Sequence, residues 1–239
     1  MLGKKVLIID DDADLRQVAS LIFKKVGAQV MTASDGLDGF SKLFTFQPDL
    51  IVLDVMMPGN DGFDICQRIR QVSNAPLIML TALNQEQEML LGLNAGADDF
   101  LSKPFNPDIL VARARTILRR MEASNGDNGT FNYNDGRLSI DIEKHHVVVN
   151  GKRVKLTPLE FRLLVFLARN AGKVLTFEKI LTHVWGADYE GSMDYVHVYI
   201  SHLRRKIEED VKSPRYLLTI HGIGYIFEKP ELSYKFQGF

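Results

Sequence analysis

The chain has few of the features that mark secreted or membrane-spanning proteins. Among its 239 residues there is one cysteine, Cys66, which excludes an internal disulfide and leaves no cysteine cluster for structural zinc. It has no run of about 18 apolar residues, as a membrane span requires. The apolar run at residues 6–9 is too short for a signal peptide. These absences predict a reducing, cytoplasmic setting and no membrane partner.

The chain also lacks an excess of positive charge. Its formal net charge is −1, so a nucleic-acid partner cannot be argued from bulk electrostatics and must be sought in the placement of particular cations. The hydrophobic fraction of 46% and the charged fraction of 25% exclude a natively disordered chain. The length exceeds a common single-domain size of about 100 to 150 residues, which predicts two domains.

The first half alternates short apolar runs with segments of helical periodicity. Three of the runs are apolar throughout, which is typical of strands covered on both faces by helices. Right-handed crossovers between such strands give a doubly wound, flavodoxin-like α/β domain with a five-stranded parallel sheet. We predict this domain at residues 1–121, with strands near residues 6–9, 29–32, 50–53, 76–80 and 99–101.

The second half has a different pattern. Residues 122–136 are rich in Asn, Gly, Asp and Ser and are predicted to be a linker. Asn150-Gly151 is a hairpin signal, and Thr157 with Glu160 forms a capping box that opens a helix. Short strands, three helices and a final hairpin predict an α+β winged helix-turn-helix domain at residues 137–239. Its helices are expected at residues 157–169, 177–184 and 193–208.

Polar side chains follow four of the five predicted parallel strands: Asp10, Asp11 and Asp12 after the first, Asp54 after the third, Thr81 after the fourth and Lys103 after the fifth. Parallel strands end at one edge of a sheet, so these groups should converge there. Clustered carboxylates repel one another, and a hard cation such as Mg²⁺ neutralises them. Lys103 and Thr81 could then bind a phosphoryl group on Asp54.

Each of these residues also has an ordinary structural interpretation. The acidic run at residues 10–12 could cap a helix N-terminus, and Lys103 could be a surface cation. The joint placement of all of them at one sheet edge favours the site.

The segments VLIIDDD, LIVLDVMMPGNDG, LIMLTA and GADDFLSKPF resemble the receiver domain of two-component response regulators over residues 4–121. The resemblance implies that Asp54 accepts a phosphoryl group from a sensor histidine kinase. It implies a Mg²⁺ site made by Asp10, Asp11, Asp54 and the Met56 carbonyl, and a cis bond between Lys103 and Pro104. It also implies a switch pair, in which Thr81 moves toward the phosphoryl group and the Phe100 ring rotates inward.

The third helix of the second half has two faces. Val196, Ile200, Leu203 and Ile207 recur at helical spacing and should face the core. The opposite face should carry His197, Ser201, Arg204 and Arg205, with Tyr195, Tyr199 and His202 alongside. Such a face suits the major groove of double-stranded DNA, although a merely solvated face is the alternative.

The segments KLTPLEFRLL, VHVYISHLRRKI and IHGIGYIF resemble the winged-helix output domain of OmpR/PhoB-type response regulators over residues 137–229. This implies base contacts from His197, Val198 and His202. It implies phosphate contacts from Trp185, Tyr199, Ser201 and Arg204, and wing contacts from Thr219 and His221. The loop at residues 186–191 corresponds to a segment used toward RNA polymerase.

The same resemblance implies a phosphorylation-dependent homodimer that binds tandem DNA half-sites. Its receivers pair through the fourth helix, fifth strand and fifth helix, where Asp98, Asp99, Arg113 and Arg120 stand at positions of intersubunit ion pairs. Met89 and Ile109 stand where relatives usually have a charged pair, so an apolar contact is predicted there. A weaker or different dimer is the alternative.

Two other functions compete with this interpretation. An enzymatic output is disfavoured because the second half offers no nucleophile with a base, no metal-ligand cluster and no glycine-rich phosphate loop. A DNA-binding protein that ignores phosphorylation is disfavoured by the intact set of Asp10, Asp11, Asp54, Thr81 and Lys103. We therefore expect a non-enzymatic transcriptional regulator.

Overall fold

The computed structural model of the chain describes residues 1–57, 60–81, 86–126, 132–186, 189 and 191–229. For residues 60, 86–90 and 120–126 the description covers the backbone alone. The chain divides into two compact units, Met1–Gly126 and Asp127–Phe239. Among the described residues, no helix is both long and apolar enough to cross a bilayer.

The first unit is an alternating α/β domain. Its elements are β1 (Lys5–Ile9), α1 (Ala13–Lys25), β2 (Gln29–Ala33), α2 (Gly36–Phe46), β3 (Leu50–Asp54), β4 (Met56–Met57), β5 (Asn60–Asp61), α3 (Gly62–Val72), β6 (Leu77–Thr81), α4 (Glu86–Ala95), β7 (Asp99–Ser102) and α5 (Pro107–Gly126). The five predicted strands are all present, each within one residue of its expected limits.

A five-stranded parallel sheet in the order β2-β1-β3-β6-β7 forms the centre of this unit. Successive strand residues point to opposite faces, so the sheet has a core on each side. On one face Leu7 and Leu53 pack toward α2 and α3, and on the other Ile8 and Val52 pack toward α1 and α5. The predicted doubly wound fold is confirmed.

In its described residues, the second unit contains two antiparallel sheets and three helices. Its elements are β8 (Asn132–Asn134), β9 (Leu138–Asp141), β10 (His146–Val149), β11 (Lys152–Val154), α6 (Pro158–Arg169), β12 (Leu175–Thr176), α7 (Phe177–Val184), α8 (Asp194–Ile207), β13 (Leu217–Ile220) and β14 (Gly224–Phe227). The sheet orders are β11-β10-β9-β8 and β12-β14-β13. The β13–β14 hairpin is the wing, and the predicted winged-helix class is confirmed.

Local sequence signals set several of these boundaries. Thr157 and Glu160 form the predicted capping box at the start of α6. Asn150 and Gly151 both have positive φ, as a two-residue hairpin turn requires, and they join β10 to β11. The apolar stripe of α8 is buried as predicted, with Val196, Ile200, Leu203 and Ile207 at most 1% exposed.

The predicted linker at residues 122–136 differs from the structure at both ends. Helix α5 continues to Gly126, five residues into that segment. Asn132–Asn134 forms β8, which pairs with β9, and the Tyr133 ring packs edge-on against Phe227 at a centroid distance of 5.2 Å. A polar, glycine-rich composition did not reveal a strand that is anchored by a single aromatic residue.

Candidate acidic site and nucleic-acid-binding surface

The acidic site lies at the carboxyl edge of the parallel sheet. Asp10 follows β1, Asp54 ends β3, Thr81 ends β6 and Lys103 follows β7. Because β1, β3, β6 and β7 are consecutive neighbours in the sheet, their ends meet. Asp10, Asp54 and Thr81 are buried, at 1%, 3% and 0% exposure.

One ammonium group bridges two of the carboxylates. Lys103 Nζ lies 2.9 Å from Asp10 Oδ2 and 2.9 Å from Asp54 Oδ1, and the Lys103 side chain is only 15% exposed. The expectation that Lys103 reaches this edge agrees with the geometry, and the surface-cation alternative does not. Carboxylate oxygens of Asp10, Asp11 and Asp54 also lie within 4.8 Å of one another.

The charges in this cluster do not balance. Burial raises the pKa of Asp54, and the neighbouring Asp10 adds to the rise, although hydrogen bonding to Lys103 opposes it. Burial by itself would lower the pKa of Lys103, but its hydrogen bonds to Asp54 and Asp10 outweigh that effect and raise it. Three carboxylates facing one ammonium leave a deficit of positive charge. That deficit and the all-oxygen donor set fit a divalent hard cation.

Asp12 has the helix-capping role that was considered for the whole acidic run. Its carboxylate accepts hydrogen bonds from the backbone N–H groups of Asp14 and Leu15, at 2.9 and 3.1 Å, as the N-cap of α1. The Asp12 N–H in turn donates to Asp10 Oδ1 at 2.9 Å. Asp12 therefore positions Asp10 from outside the metal-ligating group.

Gly62 contributes to the site in a way that sequence reasoning missed. A Cβ atom at this position would lie 2.5 Å from the Val55 Cα and 2.6 Å from the Asp54 carbonyl oxygen. The first residue of α3 therefore touches the backbone that carries Asp54, and only glycine permits this approach. The last glycine of the quoted segment LIVLDVMMPGNDG was the sequence signal that could have indicated this close approach.

Of the proposed switch residues, Thr81 belongs to the acidic site and Phe100 lies on the neighbouring strand β7. The Phe100 ring is already buried in this structure, at 9% exposure. It packs beneath α4, where a Cβ added to Gly92 would lie 3.1 Å from the ring. The peptide bond between Lys103 and Pro104 is cis, as the resemblance implied.

The expected dimer residues are only partly on the surface. Asp98 and Asp99 are buried, at 5% and 0% exposure, and each pairs within its own chain. Arg70 Nη2 binds Asp98 at 2.5 Å, and Arg113 Nη1 binds Asp99 at 2.6 Å. Both carboxylates are therefore already paired within their own chain, and their role in intersubunit ion pairs stays a prediction.

Two further dimer positions can be placed only by their backbone, since the side chains of Met89 and Arg120 fall outside the described residues. Ile109 is 46% exposed at the start of α5 and is available for an intersubunit contact.

Five residues expected to contact DNA are buried. Tyr195, Tyr199 and Trp185 form an aromatic cluster in which the Trp185 ring lies 6.0 and 5.3 Å from the two tyrosine rings, and they are 3%, 2% and 0% exposed. Val198 and His202 are 7% and 8% exposed. The placement of Tyr195, Tyr199 and His202 beside an exposed face was wrong, because α8 packs against both α6 and α7 and so buries a wider arc than its aliphatic stripe. The DNA contacts implied by the resemblance stay predictions.

The remaining residues form the candidate DNA-facing surface. His197, Arg205 and His221 are exposed, and Ser201 is partly exposed. Arg204 is tied to the wing, since its Nε donates to the Leu217 carbonyl at 2.9 Å and its Nη2 donates to Thr219 Oγ1 at 2.8 Å. Two residues predicted to contact DNA, Arg204 and Thr219, thus fasten α8 to the wing.

Comparisons with known proteins agree with both halves of this arrangement. The family described as response regulator receiver domain matches residues 6–115, and the family described as transcriptional regulatory protein, C terminal, matches residues 151–227. The probable transcriptional regulator ycf27 of Porphyridium aerugineum is 42% identical over 96% of this chain and 98% of its own length. The alkaline phosphatase synthesis transcriptional regulatory protein PhoP of Bacillus subtilis is 40% identical over 97% and 100%.

A solved structure of a RitR mutant is 28% identical, with a TM-score of 0.78 over 94% of this chain and 99% of that one.

Proposed function

The chain belongs to the OmpR/PhoB-type response regulators, and from that premise we propose that phosphorylation of Asp54 switches DNA binding by its winged helix. The observation that carries the proposal is the cluster of Asp10, Asp11, Asp54 and Lys103. Its one bridging ammonium neutralises the three carboxylates only in part. A sensor histidine kinase is the proposed phosphoryl donor.

Asp10, Asp11 and Asp54 would hold Mg²⁺ through carboxylate oxygens, with the Met56 carbonyl as a further proposed ligand. The bound cation would offset negative charge on the carboxylates and on a phosphoryl group. The buried position of Asp54 supports this role, because uncompensated charge is most costly where water is excluded.

The protein's own groups have complementary tasks. The Lys103 ammonium, 2.9 Å from Asp54, would bind a phosphoryl oxygen on the modified side chain. The Thr81 hydroxyl would donate to a second phosphoryl oxygen. Movement of Thr81 would alter the packing around Phe100, and so would pass the change to α4 and α5.

In the second unit, His197, Ser201, Arg205 and His221 would face double-stranded DNA. We propose that phosphorylation promotes a homodimer that places two winged helices on tandem half-sites. Ile109 supports an apolar contribution to that dimer, because it is a large exposed apolar side chain on α5. RNA polymerase is a proposed further partner.

A phosphorylation assay tests the switch. The full chain is treated with a small phosphodonor and Mg²⁺, and its intact mass is measured. Wild type should gain one phosphate, Asp54→Ala should gain none, and Asp64→Ala, at an exposed position on α3, should behave as wild type. If wild type gains no phosphate, the proposed switch is wrong. If it gains phosphate without a change in DNA affinity, the phosphorylation-independent function is favoured.

A further inference from the structure

His197 is held in a defined orientation by the wing. It is exposed on α8, and its Nδ1 lies 2.8 Å from the hydroxyl oxygen of Tyr225 on β14. Phe177 contacts both rings, with its centroid 4.9 Å from that of His197 and 5.7 Å from that of Tyr225. The imidazole therefore has one nitrogen committed to the protein. Within the described part of the chain, its Nε2 has no hydrogen-bond partner.

The direction of the bond to Tyr225 follows from the burial of the phenol. Tyr225 is 4% exposed, and a buried hydroxyl proton needs an acceptor. Burial raises the pKa of Tyr225, so the phenol keeps its proton near neutral pH. The Nδ1 of a neutral imidazole can accept that proton, and the imidazole then carries its own hydrogen on Nε2.

This arrangement makes Nε2, the ring nitrogen that is not bonded to Tyr225, a hydrogen-bond donor. With Nδ1 accepting from Tyr225, Nε2 carries the imidazole hydrogen and offers an N–H group to a partner outside the protein. In the major groove guanine O6 and thymine O4 accept hydrogen bonds, cytosine presents its amino group as a donor, and N7 is the acceptor that both purines share.

We propose that Tyr225 fixes His197 as a hydrogen-bond donor that reads the N7 edge of a purine. This inference rests on the proposed DNA-binding function and specifies the chemistry of one recognition position. Tyr225 is a positioning residue, because it acts through His197 from inside the wing.

The tautomer can be measured without DNA. In ¹⁵N-labelled full-length chain, the imidazole resonances of His197 should show a protonated Nε2 and an Nδ1 that accepts a hydrogen bond. Tyr225→Phe should abolish this bias, whereas Tyr216→Phe should retain it. Tyr216 is a matched control because its hydroxyl is also buried in this unit but donates to Asp135, at 2.8 Å. A neutral imidazole with its proton on Nδ1 in wild type overturns the proposal.

Recognition is tested with the full chain, phosphodonor and a random duplex library, from which a binding motif is selected. The position whose preference changes in His197→Ala identifies the base pair that His197 contacts. Replacing the purine there by its 7-deaza analogue should weaken wild-type binding roughly 2- to 12-fold, the range for one hydrogen bond. The same replacement should not weaken binding by His197→Ala, and its effect should shrink in Tyr225→Phe.

The outcomes separate two kinds of failure. If no motif is enriched, the DNA-binding function fails and this inference fails with it. If a motif is enriched but the 7-deaza analogue binds wild type as well as the natural purine does, the purine-reading role of His197 alone is wrong.

Discussion

Lys206 donates two hydrogen bonds to the carboxylate of Glu160, at 2.8 and 2.6 Å, and so joins α8 to the first turn of α6. Glu160 is 2% exposed and also completes the capping box by accepting from the Thr157 N–H at 2.7 Å. One buried carboxylate therefore caps one helix and anchors the proposed recognition helix.

Glu160→Gln should destabilise the second unit by about 1 to 3 kcal/mol, because it leaves the Lys206 ammonium without its charged acceptor. Trp185, the only tryptophan and fully buried in this unit, reports its unfolding in the full chain by fluorescence in urea. Glu178→Gln is a matched control, since Glu178 is an exposed acidic residue in the first turn of α7. Equal stability of the two variants would show that the Lys206 contact contributes nothing.

His202 should make the same unit less stable in mild acid. Burial lowers the pKa of His202 from 6.5, although the nearby Glu160 carboxylate opposes this change. Above pH 6.5 the imidazole is neutral in both the folded and the unfolded chain, so His202 costs no stability there. As the pH falls from 6.5 through the folded-state pKa, the unfolded chain binds the proton more readily than the folded chain, and the free energy of unfolding decreases by at most about 1.4 kcal/mol per pH unit.

Urea titrations of Trp185 fluorescence at pH 7.5 and 5.5 test this. His202→Gln should reduce the pH dependence of the unfolding free energy, whereas His221→Gln, at an exposed position in the wing, should leave it as in wild type. The assignment to His202 fails if its replacement leaves the full pH dependence in place.

The sequence predicted elements better than it predicted contacts. Strand ends are readable from apolar runs, so the convergence of Asp10, Asp54 and Lys103 could be anticipated. The exposure of α8 could not, because Tyr195 and Tyr199 look like amphipathic surface residues until Trp185 is placed against them. Tertiary contacts therefore determine whether an aromatic side chain on a helix is buried or exposed.

Long-range polar pairs were equally hidden from the sequence. The resemblance placed Asp98 and Asp99 at positions of intersubunit ion pairs and did not reveal that Arg70 and Arg113 bind them within the chain. The partners of Asp98 and Asp99 are 28 and 14 residues away, and no local periodicity relates them.

Gly62→Ala should disturb the phosphoacceptor site. The added methyl group meets main-chain atoms of Asp54 and Val55, which cannot rotate away, so we expect a loss of about 1 to 3 kcal/mol in receiver stability and slower phosphorylation of Asp54. Calorimetry and the phosphate-mass assay measure the two effects.

Gly36→Ala is the matched control for that change. Gly36 and Gly62 each begin a helix after an Asp N-cap. At Gly36 the three atoms nearest to the new methyl group all belong to the Ile65 side chain, with Cδ1 at 2.5 Å, and that side chain can change rotamer. If Gly62→Ala changes stability and phosphorylation no more than Gly36→Ala does, the close approach of α3 to the Asp54 backbone is not important for the site.

Ile109→Lys should weaken dimerisation of the phosphorylated chain if the receiver dimer uses an apolar contact at the start of α5. Ile109 is 46% exposed, so a lysine there is tolerated by the folded monomer but places a charge in the proposed interface. Leu37→Lys is the control, because Leu37 is 70% exposed on α2, outside the proposed interface. Sedimentation velocity with and without phosphodonor should show a dimer for wild type and Leu37→Lys and a monomer for Ile109→Lys. A dimer of unchanged strength in Ile109→Lys would mean that the receivers pair through other contacts.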